Sequence, residues 1–202
     1  MATMETLRTP AKNTWCPGCG NFGILMAIKR ALVNLKLDPS KTVIVTGIGC
    51  HAKLADYVRT NSFYGIHGRV LPMATGIKLA NHDLKVIGLA GDGDAYAIGL
   101  GHLGHAARRN IDITYIVHNN MVYGLTTGQT SPTSQRGYRS KSTPHGAPEL
   151  PINPIAEALA NNASFVARAF GGDMVYLSEV MMQAIEHRGF ACLDVFQPCV
   201  TF

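Results

Sequence analysis

The chain has 202 residues, 47% of them apolar, and a formal net charge of +5, which is enough apolar material for one globular domain over 1–202. Aromatic residues make up only 7% and no run of lysine and arginine occurs, which argues against a nucleic-acid binder. No stretch reaches the length of a membrane span, and MATMETLRTPAKNTWC contains no signal-peptide block, so a soluble, cytoplasmic protein is expected.

The first stretch with chemistry in it is TWCPGCGNFG at 14–23, where Cys16 and Cys19 stand two residues apart. Such a pair serves zinc, a redox dithiol or an iron–sulfur cluster. Five cysteines in all, in a compartment that disfavours disulfides, point to metal ligation or catalysis for any organised subset. Directly after the pair, Phe22, Leu25, Met26, Ile28, Leu32, Val33 and Leu35 recur at helical spacing. TVIVTGIG (42–49) reads as a short buried strand ending in glycines, and KVIGLAGDGD (85–94) and IDITYIVHNN (111–120) repeat the pattern. Helical periodicity falls at 71–81 and 95–109, then at 154–162 and 178–188, and FACLDVFQPC (190–199) is a last strand. The alternation predicts an α/β fold, a parallel sheet with helices on both faces. The interval 119–154 lacks apolar periodicity and reads as a long loop, a kind that usually covers or lines a site.

In open α/β sheets, ligands sit at the carboxyl ends of the strands, and GIGCHAK, GDGD and HNNMVYG all fall at such ends. In GDGD, Gly91 and Gly93 permit a tight strand-to-helix turn with free backbone amides for an anion, while Asp92 and Asp94 supply carboxylates. Asn119 and Asn120 end the next strand and bring the amide oxygens that magnesium accepts; Asn119 is alternatively a turn residue that positions Asn120. GLGHLG at 99–104 matches the letters of a dinucleotide fingerprint but lies inside a helix, with no acidic residue about twenty positions on. Its glycines are better explained by close packing, at a subunit interface for example.

Cys50 closes GIGC and Cys199 lies in QPC, so Cys16, Cys19, Cys50 and Cys199 offer four thiolates from three places. That set suits tetrahedral zinc or a four-iron cluster. The lack of a second short-spaced pair, and a core too large to need a zinc staple, favour iron. Cys192, inside the last strand, reads as a small buried hydrophobe.

GDG followed by NN resembles the thiamine diphosphate signature. With WCPGCGNFG, GIGCHAK, HGR, GDGDAYAIG, HNNMVYGLTTGQTSPTS and QPCVTF, the whole chain resembles the β subunit of 2-oxoacid:ferredoxin oxidoreductases. WCPGCG is more similar to the 2-oxoglutarate and broad-specificity members than to the pyruvate ones. The resemblance implies thiamine diphosphate at GDGD and NN, with Mg2+ held by Asp92, the Asn120 side chain and the Val122 carbonyl. It also implies a 4Fe-4S cluster on Cys16, Cys19, Cys50 and Cys199. Tyr123, Gly124 and Leu125 would shape the thiazolium pocket, and Lys53, His67 and Arg69 are candidates for substrate. The implied reaction is oxidative decarboxylation of a 2-oxoacid with coenzyme A as acyl acceptor and ferredoxin as electron acceptor. The acid that activates the aminopyrimidine would come from an α subunit. Members of this family usually continue past PCVTF, whereas this chain stops at Phe202, so the C-terminal tail expected of the family is absent here, either because the sequence is a truncated form or because the protein lacks it. A non-redox thiamine decarboxylase or carboligase, and a zinc-stabilised binding module, are the alternative readings.

Overall fold

The computed structural model describes residues Met1–Phe202. In chain order the elements are α1 (Asn21–Asn34), β1 (Thr42–Thr46), α2 (Leu54–Tyr57), β2 (Asn61–Tyr64), α3 (Val70–Ala80), β3 (Lys85–Gly91), α4 (Leu100–Arg108) and β4 (Ile113–Asn119). Then follow β5 (Val122–Tyr123), β6 (Gln129–Thr130), α5 (Pro154–Ala160), β7 (Phe165–Phe170), α6 (Met174–Glu186) and β8 (Phe190–Phe196). Six strands form one sheet in the order β2-β1-β3-β4-β8-β7, and every neighbouring pair in it is parallel. β5 and β6 make a separate two-residue antiparallel ladder.

The expected α/β layering is what the chain adopts. Alternate residues of each central strand point to opposite faces, and both faces are covered. Ile44, Ile87, Leu89, Ile116, Leu193 and Val195 pack with Ile24, Ile28 and Leu32 of α1 and with Leu177, Met181 and Ile185 of α6. Val43, Val45, Val86, Val117 and Phe190 pack on the other side with α3, α4 and α5, through Leu71, Leu103 and Ala158. Cys192 is 1% exposed within this second cluster, and burial pushes its thiol up to about 12, in keeping with a packing residue.

The structure adds two edge strands that periodicity does not reveal. NSFY in β2 is exposed throughout, and FVARAF in β7 carries Arg168 and buries only Ala169; pairing with a neighbouring strand, rather than an apolar face, makes them strands. α6 begins at Met174 instead of 178 because Asp173 caps it, accepting from Tyr176 N–H at 3.1 Å. The helix expected at 95–109 divides into a π-helical turn, Asp94–Ile98, kinked at Ala97, and α4. Of the glycines in GLGHLG, a β-carbon on Gly104 would stand 2.9 Å from Asn161 Oδ1, but one on Gly101 would meet nothing within 4 Å. Close packing within the chain thus explains Gly104 and leaves Gly101 unexplained.

Strand order reverses direction between β1 and β3, since β2 lies outward of β1 while β3 and β4 lie on its other side. Such a switch point opens a crevice at the carboxyl ends. GIGC leaves β1 there and GDG ends β3 there.

Candidate functional site

A pocket of about 340 Å³ occupies that crevice, lined among others by Gly49, His51, Asp92, Asp94, His118 and Tyr123. Asp92 is 2% exposed, and its Oδ2 accepts from Ser131 Oγ at 2.5 Å and Thr133 Oγ1 at 2.7 Å. Burial pushes its carboxyl above the usual range, and these two hydroxyls pull it partly back. Both hydroxyls come from the long segment after β4, which braces Asp92 through them and lines the pocket with Val122–Thr126. Asn119 does not enter the pocket lining. Its Oδ1 faces Thr133 Oγ1 at 2.9 Å and its Nδ2 donates to Asp194 at 3.2 Å. Asp194, fully buried, also accepts from Tyr96 and, at 3.0 Å, from Arg168 Nε. Asn119 therefore positions its surroundings, whereas Asn120 lines the pocket and its Oδ1 accepts from Val122 N–H at 3.2 Å. The Val122 carbonyl accepts from Gly124 N–H at 3.1 Å, and Val122 pairs with Thr130 in the β5–β6 ladder.

Asp94, also 2% exposed, lies beside GIG. Its Oδ1 accepts from Gly68 N–H and stands 3.2 Å from His67 Nδ1. Its Oδ2 and His51 Nε2 are 3.5 Å apart, and neither makes a hydrogen bond. The carboxylate lies where a β-carbon on residue 47 would be, so Gly47 is required by close approach. Gly93 is required likewise by the Tyr123 ring. His118 Nδ1 meets Asn21 Oδ1 at 2.7 Å, while Nε2 has no partner. Burial, aided by neighbouring His51, holds its pKa well below the usual histidine value, so it is a neutral ring. A pocket lined by orphaned polar atoms of His51, Asp94 and His118 is built to receive a polar ligand.

The second cavity, about 210 Å³, is lined by all four predicted cysteines, Cys16, Cys19, Cys50 and Cys199. They are free thiols. Burial raises the Cys19 and Cys50 thiols, and the negative charge of the other three cysteines adds to the rise at Cys50, as Cys199 and Cys16 do at Cys19. Gln197 Nε2 donates to Cys19 Sγ at 3.6 Å and Thr201 Oγ1 to Cys16 Sγ at 3.4 Å. No three His, Cys, Asp or Glu side chains are grouped as one metal ion would have them. The two cavities adjoin: Cys50, Asn120, Gly124, Leu125 and Gln197 line both. A β-carbon on Gly124 would be 3.9 Å from the sulfurs of both Cys50 and Cys199.

Gly91, Asp92, Gly93, Asp94, Asn120, Val122, Tyr123, Gly124, Leu125 and His67 thus come together in the first pocket. Lys53 and Arg69 do not. Lys53 lies at the cysteine cavity, where Nζ donates to Thr14 at 2.8 Å and its charge lowers the Cys50 pKa. Arg69 turns to the carbonyls of Gly68 and Ile98, at 3.3 and 3.4 Å. Sequence reasoning passed over His51, His118, Ser131, Thr133 and Gln197, although each stands inside or next to a motif it had singled out.

The family model described as "Thiamine pyrophosphate enzyme, C-terminal TPP binding domain" matches residues 47–195. The chain is 50% identical, over 98% of its length, to 2-oxoacid:ferredoxin oxidoreductase 1, subunit beta, of Aeropyrum pernix, and spans 63% of that relative. It is 42% identical to 2-oxoglutarate synthase subunit KorB of Archaeoglobus fulgidus, covering 98% of this chain and 74% of that one. A solved 2-oxoglutarate:ferredoxin oxidoreductase from Magnetococcus marinus, with 2-oxoglutarate, coenzyme A and succinyl-CoA bound, superposes with TM-score 0.96 at 41% identity, over 98% of this chain and 68% of that chain. The chain belongs to the thiamine pyrophosphate enzymes and, among them, to the β subunits of the 2-oxoacid:ferredoxin oxidoreductases.

Proposed function

We propose that this chain, with an α subunit, oxidatively decarboxylates a 2-oxoacid, 2-oxoglutarate above all, to its coenzyme A thioester and passes the electrons through a 4Fe-4S cluster to ferredoxin in the cytoplasm. One observation carries the reading: the Asp92 pocket and the four-cysteine cavity share a wall of five residues. A cofactor held in the first would therefore adjoin a cluster held in the second. The substrate choice is supported by the Archaeoglobus and Magnetococcus relatives, both of which are named for 2-oxoglutarate.

The residues fit the groups the family implies. Asp92, Asn120 Oδ1 and the Val122 carbonyl are three oxygen donors of the kind Mg2+ accepts, and a diphosphate and water would supply the rest. One carboxylate suffices for such a site, so it needs no acidic cluster. Thiamine diphosphate, when bound, supplies the electron sink that decarboxylation of a 2-oxoacid requires. A β-carbon on Gly91 would meet the His51 ring and one on Gly93 the Tyr123 ring, Ser131 and Thr133 orient Asp92, and Tyr123, Gly124 and Leu125 would enclose the bound cofactor. Neutral His118 and the His51 and Asp94 pair offer unpartnered polar atoms to the ligand. His67 is the substrate-facing candidate nearest Asp94. Four free cysteines from three chain segments surround one cavity, and four thiolates are the donor set a 4Fe-4S cluster takes.

The test is co-expression with the α subunit and anaerobic purification. Expected are about four iron and four sulfide per chain, bound thiamine, and dye reduction that requires both 2-oxoglutarate and coenzyme A. Thiamine-loaded protein with no iron, or with zinc in its place, would overturn the redox reading.

A further inference from the structure

We propose that Gln197 sets the reduction potential of the cluster held by Cys16, Cys19, Cys50 and Cys199, through a hydrogen bond to Cys19 Sγ from a buried position between the two cavities. The inference rests on the iron–sulfur reading above and adds to it a tuning residue.

Gln197 follows β8 directly and is only 4% exposed. Its place is fixed three ways. Its backbone N–H donates to the Asn119 carbonyl at 2.9 Å. Its Nε2 donates to the Pro198 carbonyl at 2.8 Å and to Cys19 Sγ at 3.6 Å. A carbonyl can only accept, so the Pro198 contact decides which end of the amide is nitrogen, and the second N–H is left for sulfur. Gly20 permits this approach: a β-carbon there would fall 2.7 Å from Pro198 Cδ and 3.0 Å from Gln197 Cγ. The carboxamide is therefore held in place, on the wall common to both cavities.

A donor to a ligating sulfur favours the more negative, reduced state of a cluster and so raises its potential. The effect depends on exclusion of water, since an exposed donor is replaced by solvent when removed. Thr201 provides the internal comparison, because it donates to Cys16 Sγ from an exposed position.

The experiment is a redox titration of the α-co-expressed enzyme, followed by EPR, on wild type, Gln197→Leu, Gln197→Glu and Thr201→Val, with iron and sulfide measured in each. Gln197→Leu is expected to shift the midpoint negative, Gln197→Glu further negative, and Thr201→Val by less than either. Unchanged potentials in both Gln197 variants with full iron content would overturn the assignment. So would a Thr201→Val shift as large as that of Gln197→Leu, or loss of iron from both Gln197 variants, which would make the residue a structural holder. Wild-type protein without iron would instead remove the reading on which the inference rests.

Discussion

The two adjoining cavities are built on opposite principles. In the Asp92 pocket the protein has already made the contacts: two hydroxyls hold one carboxylate oxygen, Asn119 is tied to Asp194, and glycines at 47 and 93 let a carboxylate and a ring close in. In the cysteine cavity the four sulfurs come from three chain segments, with Gln197 and Thr201 as their side-chain donors, and burial first, then the charge of neighbouring cysteines, raises the thiols of Cys19 and Cys50. The first is organised ahead of its ligand. On the iron–sulfur reading the second would be organised by its ligand, so losing one thiol should affect it far more than losing one hydroxyl affects the first.

The largest expected effect follows from this contrast. Cys50→Ser should abolish cluster iron while leaving thiamine diphosphate affinity within about threefold, because a cluster of this kind requires its thiolates; iron analysis and a cofactor titration on the same preparation check both halves. Asp92→Asn should reverse the pattern, lowering Mg2+-dependent thiamine diphosphate affinity by about 100-fold or more with iron unchanged, and Thr133→Val, one shell out, by about 10-fold. If either aspartate or threonine change also stripped iron, the two cavities would not be independent. Reduction of an acidic ferredoxin should slow several-fold as ionic strength rises from about 0.05 to 0.3 M, while reduction of a small dye does not, given the basic balance of the chain; salt-independent stopped-flow rates would remove that docking argument.

The smallest effect belongs to the amino-terminal end of β4, remote from both cavities. Lys78 Nζ donates to the carbonyls of His82 and Leu84 and pairs with Asp112 at 2.7 Å. Burial alone would raise the Asp112 carboxyl, but the Lys78 and Gly189 hydrogen bonds hold it below 3.8. A carboxyl depressed in the folded state lends stability above its unfolded pKa, and that share is lost as pH falls through the lowered value. Asp112→Asn leaves the buried Lys78 ammonium with only its two carbonyls and should therefore cost about 1–3 kcal/mol at neutral pH, flatten acid unfolding below pH 3.8, and leave both cavities intact.

What the sequence disclosed follows the same division. Parallel strands covered on both faces write themselves as unbroken β-branched runs, and TVIVT, KVIGLAG and ITYIVHN end where ligands bind, so Asp92 and Asn120 were legible together. The cysteines were legible because thiols at strand ends and in CxxC are rare enough to notice. Ser131 and Thr133 were not, since their approach to Asp92 depends on the path of a segment with no periodicity. The substrate-facing role expected of Lys53 came from the resemblance, and the 3-10 helix Cys50–Lys53 places it at the cysteine cavity. β2 and β7 escaped because a strand at the margin of a sheet need not show an apolar face.

That margin has a practical bearing. β2 pairs only with β1, and its outer flank is a row of free amides and carbonyls beside Phe63 and Tyr64, which are 48% and 46% exposed. Strands of this kind are templates for self-association, so recombinant preparations should favour insoluble aggregates when concentrated, and a single lysine at Phe63 should keep more of the material in the supernatant.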